Sequence, residues 1–511
     1  MTGRRLRAAV FFCALLAQAA RAGASADASY LAELQARAHA TVLAQQPAWL
    51  RLGHWRPDRI GHGYNSTIDS PGFFLAKDGR GEPAAELDAT LELFFSGTQI
   101  AGEPAQCRYL ARYQWLRRQL EFDPARLPEA SCERYQEWAR GLDAARIAVV
   151  FASNDLNSPS SMFGHTLLRI DTHGQGDNER LLAYALNYAA ADVNDGGVTY
   201  AWRGITGGYE GYFSIYPYYD KVKEYARFEH RDLWEYPLRL AADQVQLLLW
   251  HVWELRGVGS SYYFFSENCS YQLLSLIEVA RPDLDLTGPF RRGVAYTIPV
   301  DTIRALRDSG LLDAPAYRPA AAKVFQHDYH QLGDDEQAWV QRYVRGEAGF
   351  DDAVFARADD AGRARMLEMA HEQLYFLFQQ GEMPRSAGLE RDHAALVERS
   401  RLPVDSGFAP APQPAMPDQG HSSARTAAGA RIDAHAAAAV LRWRPSYHDR
   451  LDPPAGYLSG GEIRFFDVSA LAGDGGVRLD QVTLLSVQAV SPRDATFKPW
   501  SWQVALGARR L

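Results

Sequence analysis

One stretch constrains this chain more than any other: Tyr262-Tyr263-Phe264-Phe265-Ser266-Glu267-Asn268-Cys269-Ser270-Tyr271-Gln272-Leu273-Leu274-Ser275-Leu276-Ile277. An aromatic run gives way to polar residues, after which Leu273, Leu274, Leu276, Ile277 and Ala280 share one face of a helix. Ser266 or Asn268 suits the N-cap, accepting a backbone N–H and fixing where the helix begins. Cys269 then falls in the first turn, at the positive end of the helix dipole, where thiolate is favoured over thiol. A catalytic cysteine needs such a place; a buried, inert core cysteine is the other reading of the same residues.

The residues ahead of it supply partners. Arg146 to Phe151 is apolar and β-branched, as in a buried strand, and runs into a polar loop over Asn154–Ser161. Phe163-Gly164-His165 follows and opens a second strand, Thr166 to Ile170; a third, Leu181 to Tyr188, carries Asn187 near its far end. A thiolate to attack a carbonyl carbon, an imidazole to move the proton and a side-chain carbonyl to orient the imidazole are the residue types that acyl chemistry at a cysteine requires. Backbone N–H groups from Asn268 to Ser270 are candidates to hold the oxyanion.

The amino terminus bears on the cysteines. Arg4, Arg5 and Arg7 precede an apolar run from Ala8 to Ala20, with small residues from Ala22 to Ala26, which predicts a signal peptide over 1–26 that takes Cys13 with it. No later stretch reaches the roughly 18 apolar residues of a membrane-spanning helix. Cys107, Cys132 and Cys269 then remain, an odd number in an oxidising compartment. Cys107 and Cys132, 25 positions apart in one helical segment, are read as a disulfide, which leaves Cys269 as a free thiol in need of a reason. A net charge of -8 without a basic stripe predicts no nucleic-acid partner.

Asn157 to Thr166, Ala183 to Tyr188, Gly207-Gly208-Tyr209-Glu210-Gly211-Tyr212 and Tyr262 to Leu274 together resemble the bacterial family named for the periplasmic domain of Lnb, a lipoprotein N-acyltransferase. More broadly, Phe163 to Thr166 and Glu267 to Ser270 resemble the permuted papain-like cysteine enzymes, in which His precedes Cys, as in the lecithin:retinol acyltransferases. The resemblance covers roughly 145–310 and implies Cys269 as nucleophile and His165 as base. For the third member this chain offers Asn187, with Asp171, His173 and Asp192 as competitors. The Gly- and Tyr-rich stretch between the motifs, with Tyr209, Tyr212 and also Tyr262, suits either an acyl-chain groove or an aromatic core under a loop.

Around that domain the expected class is α+β. A helical unit over 27–144 precedes the permuted papain-like unit over 145–312; a helical segment over 313–400 and a Pro-rich linker over 401–420 follow. His54 and His62, and His327 and His330, lack further ligands at metal spacing, so neither metal nor cofactor is expected. Over 421–511 the period changes to two, as in Ser501 to Arg509. About four strands are legible there, fewer than the eight of a closed outer-membrane barrel, which reads as a partial, truncated barrel-like sheet. The expectation is an envelope thiol acyltransferase or hydrolase of a Gram-negative periplasm or outer membrane, acting on phospholipid or lipoprotein. A cell-wall amidase or peptidase, or a non-catalytic envelope module held by its β tail, are the alternatives.

Overall fold

The computed structural model describes residues 28–510 apart from 59–60, 157–160, 192–194, 292–295, 433–436, 474–475, 492 and 494–496. The expected signal peptide, Asn157 to Ser160 of the Asn157–Thr166 motif and the competitor Asp192 fall outside the described residues.

The central sheet has seven strands: β1 Ala144–Ala152, β2 His165–Thr172, β3 Tyr184–Ala190, β4 Tyr209–Pro217, β5 Leu233–Pro237, β6 Ser260–Tyr262 and β7 Ala316–Arg318. Their order is β6-β4-β3-β2-β1-β5-β7, and every pair is antiparallel. The apolar run of β1 is continuous because both its faces are covered. Ile147, Val149 and Phe151 join the main core, while Val150 and Ala152 pack on the opposite side with Tyr218, Tyr225 and Leu233. On the main-core side lie three helices, α2 Ala242–Glu254, α3 Cys269–Ala280 and α4 Pro299–Asp308; a fourth, α1 Gly197–Thr206, precedes β4. The boundary expected at 312 is crossed by β7, whose Ala316 to Arg318 pair with β5 and finish the sheet.

The N-terminal unit is chiefly helical, with helices such as Pro83–Phe95 and Leu110–Leu120 around a core of its own, together with two short antiparallel strand pairs. Its disulfide is the one read from the sequence: Cys107 and Cys132 are bonded. This unit is fastened to α3 by buried charge. Arg56 Nη2 and Arg51 Nη1 lie 2.9 and 3.1 Å from Glu278 Oε2, and the Glu278 side chain is fully buried. A third core gathers the helices between Phe325 and Ala395. The Pro-rich stretch is less of a free linker than its composition suggests. Pro417 and Asp418 are buried, and Asp418 accepts the Tyr236 hydroxyl at 2.7 Å.

The tail forms six strands among the described residues, not about four: β8 Arg425–Ile432, β9 Ala437–Arg444, β10 Ser446–His448, β11 Gly461–Gly473, β12 Gly476–Ala489 and β13 Trp502–Arg509. The undercount arose because Arg425 to Trp443 reads as one alternating stretch but folds back on itself as the β8-β9 pair, with Thr426 opposite Trp443. Among the described residues the sheet is open along β8-β9-β11-β12-β13 and not closed into a barrel. Ion pairs such as Arg464 with Glu462 lie within it, while Leu441, Leu479 and Leu506 are exposed. Its near end is not free: Tyr447, Ile463, Phe465 and Val487 enter the main core. Among the described residues no helix is long and apolar enough to cross a membrane.

Candidate active site

Cys269 is the first residue of α3, and Asn268, not Ser266, is the N-cap: its Oδ1 accepts from the N–H groups of Ser270 and Tyr271 at 3.1 and 3.3 Å. Cys269 is 3% exposed. His165 is the first residue of β2, delivered by Gly164 at φ +91°, where a Cβ would come within 2.6 Å of the Phe151 ring. The register Leu168 opposite Leu186 continues so that Asn187 shares a face with Leu167 and His165. Asn187 Oδ1 lies 2.7 Å from His165 Nε2. That bond takes Nε2–H and leaves Nδ1 as the ring nitrogen available to the Cys269 sulfur, with which His165 interacts. Cys269, His165 and Asn187, read from separate stretches, therefore meet where the start of α3 packs on β2 and β3, two inner strands of the central sheet.

The charges follow from this arrangement. Burial alone pushes the Cys269 thiol up. The His165 imidazole beside it, its hydrogen bond, the backbone N–H of Thr166 and the Ser270 hydroxyl outweigh burial and bring the thiol down to about 6. Burial pulls the His165 imidazole down, but the Cys269 charge, its hydrogen bond and that of Asn187 raise it above its ordinary value. The two shifts favour a thiolate beside an imidazolium at neutral pH.

Of the competitors for the third place, Asp171 is paired with Arg169 at 2.6 Å and His173 with Asp143 at 2.9 Å, both at the far end of β2. Ser270 does not keep the free N–H expected of it, because the Asn268 cap takes it; its hydroxyl lies 2.9 Å from that of Thr166 and so ties α3 to β2. The N–H of Cys269 donates instead to the Tyr262 hydroxyl at 3.3 Å.

Above the sulfur lies a cavity of about 800 Å³ with a mainly apolar lining, including Phe163, Ala190, Tyr200, Ile205, Phe264, Phe265 and, from the tail sheet, Phe465 and Leu485. Tyr262 lines it, as expected of a groove residue, whereas Tyr209 and Tyr212 do not. Tyr209 is buried by its part in holding α1: its hydroxyl donates to Asp195 at 2.9 Å and its ring lies under the Arg203 guanidinium. Gly207, at φ +76°, ends α1 and leaves no room for a Cβ against Tyr263. Sequence reasoning missed Tyr225, whose ring stands 5.8 Å from that of His165 on a π-helical turn over Lys223–Phe228, and it missed Phe465. Neither position carries a local signal that distinguishes it from core packing.

Of the histidines weighed for metal, His54 Nε2 lies 3.0 Å from His251 Nε2 in the interior, and His327 Nε2 lies 3.0 Å from the Ala409 carbonyl. Among the described residues, one group has a ligand geometry: His421, His448 and Asp452, with candidate atoms within 4.8 Å of one another. Asp452 there is already engaged by Arg425 and Arg444. Two guanidinium groups beside that carboxylate oppose a cation.

The family model of the Lnb N-terminal periplasmic domain matches residues 134–309. Residues 134–309 belong to that family. The Lnb domain thus carries Cys269, His165 and Asn187 together with most of the central sheet. Domains of unknown function flank it: DUF7843 over 41–119, DUF7842 over 315–411 and DUF7840 over 414–511. No curated protein and no solved structure matches the chain. A periplasmic domain with a disulfide ahead of it fits an envelope location.

Proposed function

We propose that the Lnb domain is a cysteine-dependent acyltransferase, built on a permuted papain-like plan, that takes an acyl group from a lipid ester and passes it to an amine such as a lipoprotein N-terminus, or to water. The observation that carries this reading is the Cys269 thiol, held near pKa 6 by His165 at the floor of a mainly apolar cavity. The thiolate attacks the ester carbonyl carbon, a C–S bond forms and the carbonyl π pair moves to oxygen. On collapse the C–O bond to the alcohol breaks, and the departing oxygen takes the His165 proton. The resulting thioester is more open to amines than the ester it replaced. The acceptor gives its proton to His165 as it attacks, and the thiolate leaves. Asn187 keeps the imidazole turned toward the sulfur throughout.

The apolar lining supports a lipid donor over a cell-wall peptide, whose polar backbone would lose hydrogen bonds there. An outer-membrane location is part of the proposal: an open sheet with exposed Leu441, Leu479 and Leu506 belongs near lipid more readily than in free solution.

Intact-mass measurement after incubation with phospholipid vesicles tests the reading. An adduct of one acyl chain on the wild-type chain, missing in Cys269→Ser, is expected. Peptide release from murein without an acyl adduct would mark an amidase, and neither product a non-catalytic module; each of these overturns the proposal.

A further inference from the structure

We infer that Tyr262 is a catalytic residue of this site, its hydroxyl joining the Cys269 N–H as second donor to the tetrahedral oxyanion, and that Asp69 of the N-terminal unit positions it. The inference rests on the acyl-transfer reading above and adds to it a donor and a role for a second unit of the chain.

The first turn of α3 leaves few donors. Asn268 Oδ1 takes the N–H groups of Ser270 and Tyr271, and Asn268 Nδ2 is spent on the carbonyls of Phe264 and Thr297 at 3.1 and 2.7 Å. The Cys269 N–H is the one aimed elsewhere, and its acceptor is the Tyr262 hydroxyl at 3.3 Å. The same hydroxyl feels the charge of the Cys269 sulfur, which lies close by. An oxygen on a carbon newly bonded to that sulfur would therefore form beside both groups. There it can accept the N–H that Tyr262 now accepts, and the Tyr262 proton as well. Burial, followed by the charge of Cys269, raises the phenol well above its ordinary range, so it retains its proton.

Four further contacts hold Tyr262 and the strand that bears it in place. Asp69 accepts the Ser261 N–H at 2.9 Å and the Ser261 hydroxyl at 2.5 Å, pinning the backbone one residue before Tyr262. Tyr188 stacks on the Tyr262 ring at 5.8 Å and 15°, and its own hydroxyl reaches the Ser260 carbonyl at 3.4 Å. Asp69 follows Ile68, which is buried in the main core, so the N-terminal unit reaches to within one residue of the site. Asp69 touches no substrate; it acts through Ser261.

Two reactions of the full chain separate this role from a structural one. Alkylation by iodoacetamide displaces iodide and forms no oxyanion; acylation by a p-nitrophenyl acyl ester must pass through one. Tyr262→Phe keeps the stacked ring. It should lower the acylation rate at saturating ester about 100-fold, with KM unchanged and alkylation at the wild-type rate. Asp69→Asn should lower acylation about tenfold with the same split. Wild-type acylation in Tyr262→Phe, or parallel losses of acylation and alkylation, overturns the inference while leaving the acyltransferase reading standing. A wild-type chain that is alkylated fast but never acylated refutes that reading, and the oxyanion role falls with it.

Discussion

Asn187 Oδ1 lies 2.7 Å from His165 Nε2, across two neighbouring strands whose register sets both side chains on one face. The bond fixes which nitrogen of the ring meets Cys269 and helps to raise the imidazole. Asn187→Ala should therefore lower ester turnover roughly 10- to 100-fold. Asn187→Asp keeps an acceptor and adds a charge that favours the imidazolium, so it should retain more activity than the alanine variant. Steady-state rates of the two proteins give the ranking.

Gly164→Ala places a methyl group where the Phe151 ring stands, at a φ of +91° that L side chains rarely adopt. A loss of about 1–3 kcal/mol is expected. Because His165 is the next residue, thiol reactivity should fall with it. Chemical denaturation and alkylation on the same sample check both effects.

Residues whose role is set by local sequence were legible before the fold was known. Cys269 stands one residue after an asparagine cap, and His165 stands between a glycine and a β-branched strand; a helix start and a strand start are decided by near neighbours. Asn187 was chosen among four candidates, and what selects it is strand register, which places Asp171 and His173 at the wrong end of β2. Tyr262 was read as a wall of the groove because nothing in its own stretch says that its hydroxyl meets the Cys269 N–H. Asp69 and Phe465 reach the site from units separated from it by many residues, through contacts that exist only after those units dock. Tyr209 misled because an aromatic under a loop and one lining a groove share the same local pattern.

The disulfide closes a 25-residue separation in the N-terminal unit. Replacing Cys107 and Cys132 with alanine should cost about 3 kcal/mol, visible as a lower thermal midpoint. Once residues 1–26, and Cys13 with them, are removed, the wild-type protein should show one thiol reactive toward a titrating reagent, Cys269, the free cysteine among the described residues.

Glu278 joins the N-terminal unit to the helix that bears the nucleophile. Glu278→Ala would leave Arg56 buried beside Tyr271 and Ser275 with its charge uncompensated. The expected cost is about 3–5 kcal/mol, read from denaturant unfolding. Arg56→Met paired with Glu278→Leu, which removes both charges, should recover part of it.

The central claim is that a sulfur and an imidazole from distant stretches form one ion pair. The rate of Cys269 alkylation as a function of pH, in the wild-type chain and in His165→Ala, tests it most directly. In the wild type the rate should rise with a midpoint near 6 as the thiolate forms. In His165→Ala, burial is opposed only by the Thr166 N–H and the Ser270 hydroxyl, and the midpoint should move up into the ordinary thiol range, about 8.5. A wild-type midpoint in the ordinary thiol range, or one that stays near 6 without His165, would contradict the account.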